Sequence, residues 1–264
     1  WDAMVDIVVE QCEQDGLEPM SINPVVGECN DSRINQIQKR VVGADEVRQA
    51  FASASEEFEE GDVGAGAGTI CYGLKGGIGS ASRVIRIGEK EYTIGVLVQS
   101  NFGATEDFVL NGESVGAKIL DWKQEKDDMA ASEEDKGSIM SILATDLPLT
   151  SRQLRRILRR TGVGIARTGG YTGHGSGEVM IGFTTANRIP SGAEEELLQI
   201  QAIPEHVINR AFLAAAEAEQ EAILNSMTAA ERTRGRTLLQ FVRVPGRSGF
   251  ETVTNLCRQS TETV

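Results

Sequence analysis

The spacing of apolar residues changes several times along the chain, from helical periodicity to short β-prone runs. Apolar residues at helical spacing predict amphipathic helices, whereas short apolar runs bounded by turn residues predict strands. The predicted helices lie within residues 1–20, 44–58, about 150–160 and 204–227. The predicted strands lie at residues 24–28, 83–87, 92–99, 138–145 and 178–186. This mixed order indicates an α/β protein with stacked α and β layers, as opposed to a helix bundle or an all-β domain.

Residues 61–80 are rich in glycine within an otherwise ordinary sequence. The glycines of this block are Gly61, Gly64, Gly66, Gly68, Gly73, Gly76, Gly77 and Gly79. Apolar residues are interleaved throughout, which is unlike the composition of a flexible linker. Because glycine has no Cβ atom, it lets the backbone approach neighbouring atoms closely. The block therefore predicts tight backbone packing.

A polar segment at residues 123–137 runs directly into the apolar run at 138–145. The segment is charged and contains alanine and serine, which is typical of an exposed and poorly ordered loop. The change from loop to predicted core strand falls between Gly137 and Ser138. A Gly-Ser dipeptide after a polar loop is common by chance, so the junction alone does not establish a function.

Ser138 would become a competent nucleophile if the chain were cut immediately before it. A serine hydroxyl needs a base to accept its proton, and a new α-amine with a pKa of about 8 can be that base. This mechanism requires no histidine, and the sequence contains only His174 and His206. A serine hydroxyl that attacks the unhindered carbonyl of Gly137 would give an ester, which water then hydrolyses.

Charge and composition argue against several other functions. The formal net charge of −13 predicts no nucleic-acid partner and no membrane partner, and we interpret the basic stretch at 152–160 as a solvated helix face. No run of eighteen apolar residues is present. No organic cofactor is expected. The cysteines form no CxxC pair and have no histidine at zinc-ligand spacing, so we expect no metal, and reduced thiols in a cytoplasmic protein. They are Cys12, Cys29, Cys71 and Cys257.

Several sequence blocks occur together in the order found in one enzyme family. They are Pro-Val-Val-Gly-Glu at 24–28, the glycine-rich stretches at 61–69 and 73–83, and the segments at 96–103, 137–139, 144–149, 175–178 and 221–226. With these blocks the chain resembles the L-aminopeptidase/D-esterase and β-peptidyl aminopeptidase family from Pro24 to about Arg236. Their combination in this order is highly specific, whereas the glycine block alone would not be.

The resemblance implies a precursor that cuts itself between Gly137 and Ser138. Residues 1–264 would form a single catalytic domain that lacks an upstream segment, and cleavage would divide it into an α-chain, 1–137, and a β-chain, 138–264, that stay associated. The implied fold is a four-layer αββα sandwich resembling N-terminal-nucleophile hydrolases but with different strand connectivity. Relatives assemble as homo-oligomers, so a homo-oligomer is expected here too.

The resemblance also implies roles for four side chains. Ser138 matches the family nucleophile, Ser176 and Glu178 match a pair that positions it and assists proton movement, and Asn101 matches a donor to the oxyanion. An amide NH₂ suits such a donor, and a carboxylate near an α-amine can tune its pKa. Ser176 and Glu178 are two residues apart, so they face the same way on an extended strand. Considered singly, Asn101 could be a turn residue, Ser176 loop filler and Glu178 an exposed charge.

Candidates for substrate binding lie in two of the blocks. Glu28 matches a family position near the free amino group of the substrate, although a surface turn charge would look the same in sequence. Lys75, together with Gly76 and Gly77, could line the cleft, or Lys75 could have a structural role by pairing with an acid in the glycine-rich core. His174 and Tyr171 precede Ser176 and could shape the pocket. Where many relatives have an aromatic residue after the Val-Gly-Glu block, this chain has Cys29, Asn30 and Asp31, which leaves the substrate preference open.

The sequence thus predicts a self-processing serine aminopeptidase or amidohydrolase. It would release N-terminal residues from short peptides, amino acid amides or esters, with Ser138 as nucleophile and its own α-amine as base. One alternative is an acyltransferase resembling ornithine acetyltransferase, but that group typically begins its second chain with threonine. Another is a non-catalytic binding protein on the same fold, for which loss of Ser138, Ser176 or Glu178 would be expected.

Overall fold

The computed structural model describes residues 1–19, 21–125, 137–189 and 197–231. Within these ranges the chain forms short and long helices around one main sheet. The helices are α1 (Asp2–Gln14), α2 (Ala44–Ala52), α3 (Gly116–Glu125), α4 (Ser151–Leu158), α5 (Thr161–Arg167) and α6 (Asn209–Thr228). The strands are β1 (Ile70–Cys71), β2 (Leu74–Lys75), β3 (Gly77–Ile87), β4 (Lys90–Asn101), β5 (Val109–Leu110), β6 (Glu113–Ser114), β7 (Ser138–Thr145) and β8 (Gly177–Thr184).

Four of these strands form the main sheet, in the order β3-β4-β7-β8. β4 pairs antiparallel with β3 on one side and with β7 on the other, and β7 pairs parallel with β8. A parallel pair needs a long crossover, which α4 and α5 provide. In the register of the sheet, Ser138 is paired with Asn101 of β4 and with Gly177 of β8. The strand predicted at 138–145 is therefore confirmed and lies inside the sheet.

Helix α6 covers one face of the sheet and carries much of the hydrophobic core. Its approach is closest at Gly79 of β3, where a Cβ atom would lie 2.1 Å from the carbonyl oxygen of Ala222. Small side chains on the helix allow this approach, since a larger residue would hold the two backbones apart. The buried alanines of α6 are Ala211, Ala214, Ala215, Ala216, Ala218 and Ala222.

The opposite face of the sheet also carries apolar side chains, and these are exposed. Val84, Val179 and Phe183 are 62%, 48% and 49% exposed. Side chains alternate between the two faces of a sheet, which places these three on the face away from α6. An apolar sheet face normally packs against another layer, as an inner sheet of an αββα sandwich does. The mixed α/β class is confirmed, and the described residues supply one α layer and one β layer of it.

Most of the predicted elements are present with shifted ends. The strands predicted at 83–87 and 92–99 lie within β3 and β4, and the predicted long helix begins with a separate turn of 3₁₀-helix at Glu205–Val207. Thr150 caps α4: its hydroxyl accepts a hydrogen bond from the backbone N–H of Gln153 at 3.2 Å. The helix predicted at 44–58 ends at Ala52.

One prediction from local pattern is wrong, and a second is tested only at its ends. Residues 24–28 form no strand, and Val25 and Val26 are 74% and 64% exposed. A short apolar run becomes a buried strand only where a neighbouring strand accepts its hydrogen bonds, and this run has no such neighbour among the described residues. The predicted loop at 123–137 begins as the last turn of α3, and its residues 126–136 lie outside the described ranges.

One ionisable side chain lies completely inside the core. Glu219 of α6 has no exposed surface, and its Oε1 accepts a hydrogen bond from the Ser141 hydroxyl of β7 at 2.5 Å. Its Oε2 has no hydrogen-bond partner among the described residues. Burial raises the pKa of Glu219 to about 8, against a smaller lowering from the Ser141 hydrogen bond. Glu219 is therefore neutral in the folded protein at pH 7.

The pH dependence of stability should change when Glu219 is replaced by Gln. The pKa of Glu219 lies near 4.5 when unfolded and at about 8 when folded, so between these values only the folded state keeps the proton. The free energy of unfolding of the wild type should then fall as pH rises through this window, by at most about 1.4 kcal/mol per pH unit. Glu219→Gln should lack this contribution, so its free energy of unfolding should rise relative to that of the wild type from pH 5 to pH 8.

Urea denaturation at several pH values measures this difference. Glu217→Gln is the matched control, because Glu217 is on the same helix but is 40% exposed and bonded to Arg83. A stability difference between Glu219→Gln and wild type that stays constant from pH 5 to pH 8 would contradict the assignment.

Candidate active site

The four predicted catalytic residues lie at one end of the main sheet. Ser138 is the first residue of β7 and is half-buried. Asn101, the last residue of β4, is beside it on one side, and Gly177, which lies between Ser176 and Glu178, is beside it on the other. Since the register sets these neighbours, the sheet itself brings together groups that are up to 77 positions apart, from Asn101 to Glu178.

Gly137 connects this site to the preceding segment and is closely surrounded. Its carbonyl oxygen accepts a hydrogen bond from the Gly177 N–H at 3.2 Å. A Cβ atom on residue 137 would lie 2.0 Å from the carbonyl oxygen of Asn101 and 2.5 Å from the Cα atom of Phe102. Both atoms belong to the backbone and cannot move aside easily. Only glycine therefore fits at position 137 in the uncleaved chain.

The Asn101 side chain is held in place from two directions. It is 8% exposed. Its Oδ1 accepts a hydrogen bond from the Ile70 N–H at 3.0 Å, and its Nδ2 donates one to the Asn30 carbonyl at 3.0 Å. An amide nitrogen carries two hydrogens, so Nδ2 has a second one to donate. Asn101 ends a strand and anchors two loops, and this makes it more than a turn residue.

Ser176 and Glu178 contact each other across Gly177. The Ser176 hydroxyl donates a hydrogen bond to Glu178 Oε1 at 2.8 Å, as their shared direction on the strand predicts. The Ser176 N–H donates to the Gly173 carbonyl at 2.9 Å. Both residues are half-buried, so neither is loop filler or a free surface charge. His174 and Tyr171, by contrast, are exposed in the preceding loop.

The segment at 27–30 crosses the sheet next to Ser138. A Cβ atom on Gly27 would lie 2.3 Å from the Met140 methyl group, which shows how closely the segment lies on β7. The Asn30 carbonyl accepts a hydrogen bond from Asn101 Nδ2. Glu28 is exposed between these two anchors, so its carboxylate is available to solvent near the nucleophile end of the sheet.

Cys29 anchors the same segment, and sequence reasoning gave it no role. The residue is buried, and its Sγ lies 3.6 Å from the carbonyl oxygens of both Gln99 and Ser138. Burial raises the pKa of the Cys29 thiol, with a smaller lowering from its hydrogen bond to Ser138. The thiol is thus kept protonated and able to donate. A cysteine with no motif around it gave no signal of this contact in the sequence.

The remaining predicted substrate residues are packed inside the glycine-rich block. Lys75 is 1% exposed, and its Nζ donates to the carbonyl oxygens of Gly66, Thr69 and Gly76 at 2.7, 3.1 and 2.7 Å. Burial lowers the pKa of Lys75 to about 8. A Cβ atom on Gly76 would lie 2.4 Å from the Ser100 carbonyl oxygen, and one on Gly77 would lie 2.3 Å from that of Gly61. These contacts favour the structural alternative for Lys75, Gly76 and Gly77.

The described residues contain no group of three or more histidine, cysteine, aspartate or glutamate side chains that could hold a metal ion. In the same ranges, no helix is long and apolar enough to cross a membrane. Cys12, Cys29 and Cys71 are free thiols, and Cys257 lies outside the described ranges.

Comparison with known proteins finds similarity to one family of peptidases. A sequence profile of peptidase family S58 matches residues 1–240. The β-peptidyl aminopeptidase BapA from Sphingosinicella xenopeptidilytica is 35% identical over 230 residues, which are 84% of this chain and 57% of that protein. The chain thus spans little more than half the length of this relative.

Solved structures match the fold closely. A protein from Pyrococcus horikoshii OT3 is 42% identical with a TM-score of 0.85, and the match covers 98% of this chain and 69% of that one. The L-aminopeptidase D-Ala-esterase/amidase from Ochrobactrum anthropi is 32% identical with a TM-score of 0.83, covering 100% of this chain and 70% of the other. The latter is described as a prototype of the serine aminopeptidases and a new variant of the Ntn hydrolase fold. The predicted fold class is confirmed by this match.

Replacing Lys75 by Met should destabilise the protein strongly. The substitution removes the one group that joins three buried carbonyl oxygens, although those of Gly66 and Thr69 each keep a second donor. We expect this loss to cost roughly 1–3 kcal/mol of the free energy of unfolding. Lys90→Met, at the exposed start of β4, is the control and should be nearly neutral. Denaturant unfolding measures both. A Lys75→Met protein that is as stable as the wild type but turns over substrate poorly would instead assign Lys75 to the cleft.

Proposed function

The chain belongs to peptidase family S58, and on that basis we propose that it is a self-processing serine aminopeptidase or amidohydrolase. In this proposal the precursor cuts itself between Gly137 and Ser138. The new N-terminal Ser138 then attacks short peptides, amino acid amides or esters, and its own α-amine takes up the hydroxyl proton. No metal or organic cofactor takes part in either reaction.

One observation carries the proposal: Ser138 begins β7 between Asn101 and Gly177, directly after a residue that can only be glycine. The register places a hydroxyl nucleophile, a side-chain amide donor and the Ser176–Glu178 pair at one end of the sheet. These are the groups that acyl transfer to a serine requires.

Self-cleavage would proceed in two balanced steps. The Ser138 Oγ bonds to the carbonyl carbon of Gly137, the carbon–nitrogen bond to Ser138 breaks, and the hydroxyl proton ends on the leaving amine. Water then attacks the resulting ester and the carbon–oxygen bond to Ser138 breaks, which gives Gly137 a carboxylate. One proton of the water goes to Ser138 Oγ, and the other passes to solvent. The absence of a side chain at Gly137 leaves its carbonyl open to the first attack.

Turnover would repeat the same acyl transfer on a substrate. The freed α-amine of Ser138 accepts the proton from Oγ as Oγ attacks the substrate carbonyl, and the second N–H of Asn101 Nδ2 supports the developing oxyanion. The exposed Glu28 carboxylate, held near the site by its buried neighbour Cys29, would bind the free amino group of the substrate. That ion pair selects for an N-terminal residue.

The two cleavage products would stay together because they share one sheet. β4 belongs to the first product and β7 to the second, and they pair in register from Ile94–Thr145 to Asn101–Ser138. Helix α6 of the second product packs on β3 and β4 of the first. Separation would expose this core and break the ladder. Assembly into homo-oligomers stays a prediction.

Intact-mass spectrometry tests self-cleavage directly. Purified wild type should yield a fragment that starts at Ser138, whereas Ser138→Ala should remain whole, since it lacks the attacking hydroxyl. Ser82→Ala, an exposed serine of β3, is the matched control and should split as the wild type does.

The result also separates the alternatives. A wild type that stays whole but hydrolyses aminoacyl amides would rule out the α-amine as base. A whole and inactive wild type would leave the fold without the proposed activity. Turnover that appears only when an acceptor amine is supplied would assign the chain to acyl transfer in place of hydrolysis.

Replacing Glu28 by Gln should weaken substrate binding. Loss of the carboxylate should raise the KM for alanine p-nitroanilide by about tenfold, which corresponds to about 1.4 kcal/mol, with a smaller change in kcat. Glu18→Gln, an exposed glutamate of the same N-terminal part, should change neither constant. A Glu28→Gln enzyme with wild-type KM, or one that loses only kcat, would contradict this role.

A further inference from the structure

We propose that the backbone N–H of Gly177 is an oxyanion donor, first to the Gly137 carbonyl during self-cleavage and afterwards to the substrate carbonyl during turnover. The inference rests on the proposed function, because it assigns a group to the same site. It adds a catalytic group that has no side chain and that sequence motifs therefore do not reveal.

The geometry in the uncleaved chain supplies the first part of the argument. The Gly177 N–H donates to the Gly137 carbonyl oxygen at 3.2 Å, and Gly137 is the residue whose carbonyl carbon Ser138 would attack. When Oγ adds to that carbon, the carbonyl oxygen gains the negative charge. A donor already aimed at this oxygen stabilises the charge without moving.

The Gly177 amide is also held rigidly. The Ser176 hydroxyl and the Glu178 carboxylate are bonded to each other on either side of it, and the Ser176 N–H is bonded to the Gly173 carbonyl. Pairing of β7 with β8 fixes its position relative to Ser138. Ser176 and Glu178 therefore act at least partly as positioning residues for the peptide group between them. Preorganisation of this kind is what makes an oxyanion donor effective.

Cleavage gives the donor a second use. Gly137 is the acyl group of the first reaction, and the substrate carbonyl is the acyl group of every later one. Both carbonyl carbons must come within reach of the same Ser138 Oγ, and the proposal places the oxygen of the second where the oxygen of the first had been. Once the new C-terminus at Gly137 leaves, the Gly177 N–H faces this place without its former partner. Gly177 is exposed and, as the first residue of β8, lies at the same end of the sheet as Ser138.

The same hydrogen bond is also the first rung of the β7–β8 ladder, so a purely structural role has to be separated from a catalytic one. A structural rung would affect stability and leave the reaction rate nearly unchanged. A catalytic donor would affect the rate of self-cleavage far more than stability. Measuring both quantities on the same variants distinguishes the two.

Gly177→Pro and Gly177→Ala form the matched pair. Proline removes the N–H, and the first residue of a strand is a position where proline is tolerated. Alanine keeps the N–H, and its Cβ atom would meet nothing within 4 Å. We expect Gly177→Pro to cleave itself at least about 100-fold more slowly than the wild type, and Gly177→Ala to stay within about threefold of it. Intact mass against time gives the rates, and thermal unfolding gives the stabilities.

The outcomes are distinct. A wild type that splits while Gly177→Pro splits at the same rate contradicts the role of Gly177 and leaves the proposed function standing. A wild type that never splits contradicts the proposed function and this role with it. Slow cleavage in Gly177→Ala as well as in Gly177→Pro would assign the effect to strand structure, which also overturns the proposal.

Amide hydrogen exchange decides the matter if Gly177→Pro fails to fold. The Gly177 amide should exchange slowly in the uncleaved Ser138→Ala protein, where Gly137 accepts its hydrogen bond, and at least about tenfold faster in the cleaved wild type, where that partner has left. Fast exchange in both proteins would contradict the bond to Gly137. Slow exchange in both would show that the donor is not vacated, which overturns its role in turnover.

Discussion

The hydrogen-bonded register between β4 and β7 determines where every candidate catalytic group lies. It aligns Asn101 with Ser138, and the parallel pairing of β7 with β8 adds Gly177 on the other side. A slip of one residue would turn the Ser138 side chain to the opposite face of the sheet and away from these partners. The positions of these groups are therefore fixed by the hydrogen bonds of the sheet, even though most of the groups are at strand ends.

Polar contacts inside an otherwise apolar interface hold that register. Ser226 of α6 is bonded to Ser100 of β4 at 2.6 Å, and Glu219 of α6 is bonded to Ser141 of β7 at 2.5 Å. Alanine and valine side chains alone would tolerate a sliding of the helix along the sheet, whereas buried polar pairs have one satisfied arrangement. Ser100 precedes Asn101, so the first of these pairs fixes the helix to the strand end that carries the candidate donor. Close packing at Gly79 brings α6 near enough for such bonds to form.

The sequence predicted the strands and helices best where their pattern is local. The apolar run at 138–145 begins and ends as predicted, and Thr150 caps its helix through neighbouring atoms. The strand prediction for residues 24–28 was wrong because the environment of this run is set by residues distant in sequence, such as Met140. Lys75 is a similar case, since its three carbonyl partners become visible only after the glycine-rich backbone has folded around it. The candidate catalytic side chains could be named only through family resemblance, because spacing alone does not show that Asn101 and the Ser176–Glu178 pair lie at the same end of the sheet as Ser138.

The two cleavage products share one sheet, and this links the folding of the protein to its activation. β7 enters the sheet beside β4 only after residues on both sides of the Gly137–Ser138 bond have folded together, and the bond lies in its closely packed surroundings only then. Under the proposed mechanism, folding and activation would be a single event. A misfolded or incomplete copy would have no free α-amine at Ser138 and so no activity. Self-cleavage would therefore activate only correctly folded copies, and all other copies would remain inactive precursors.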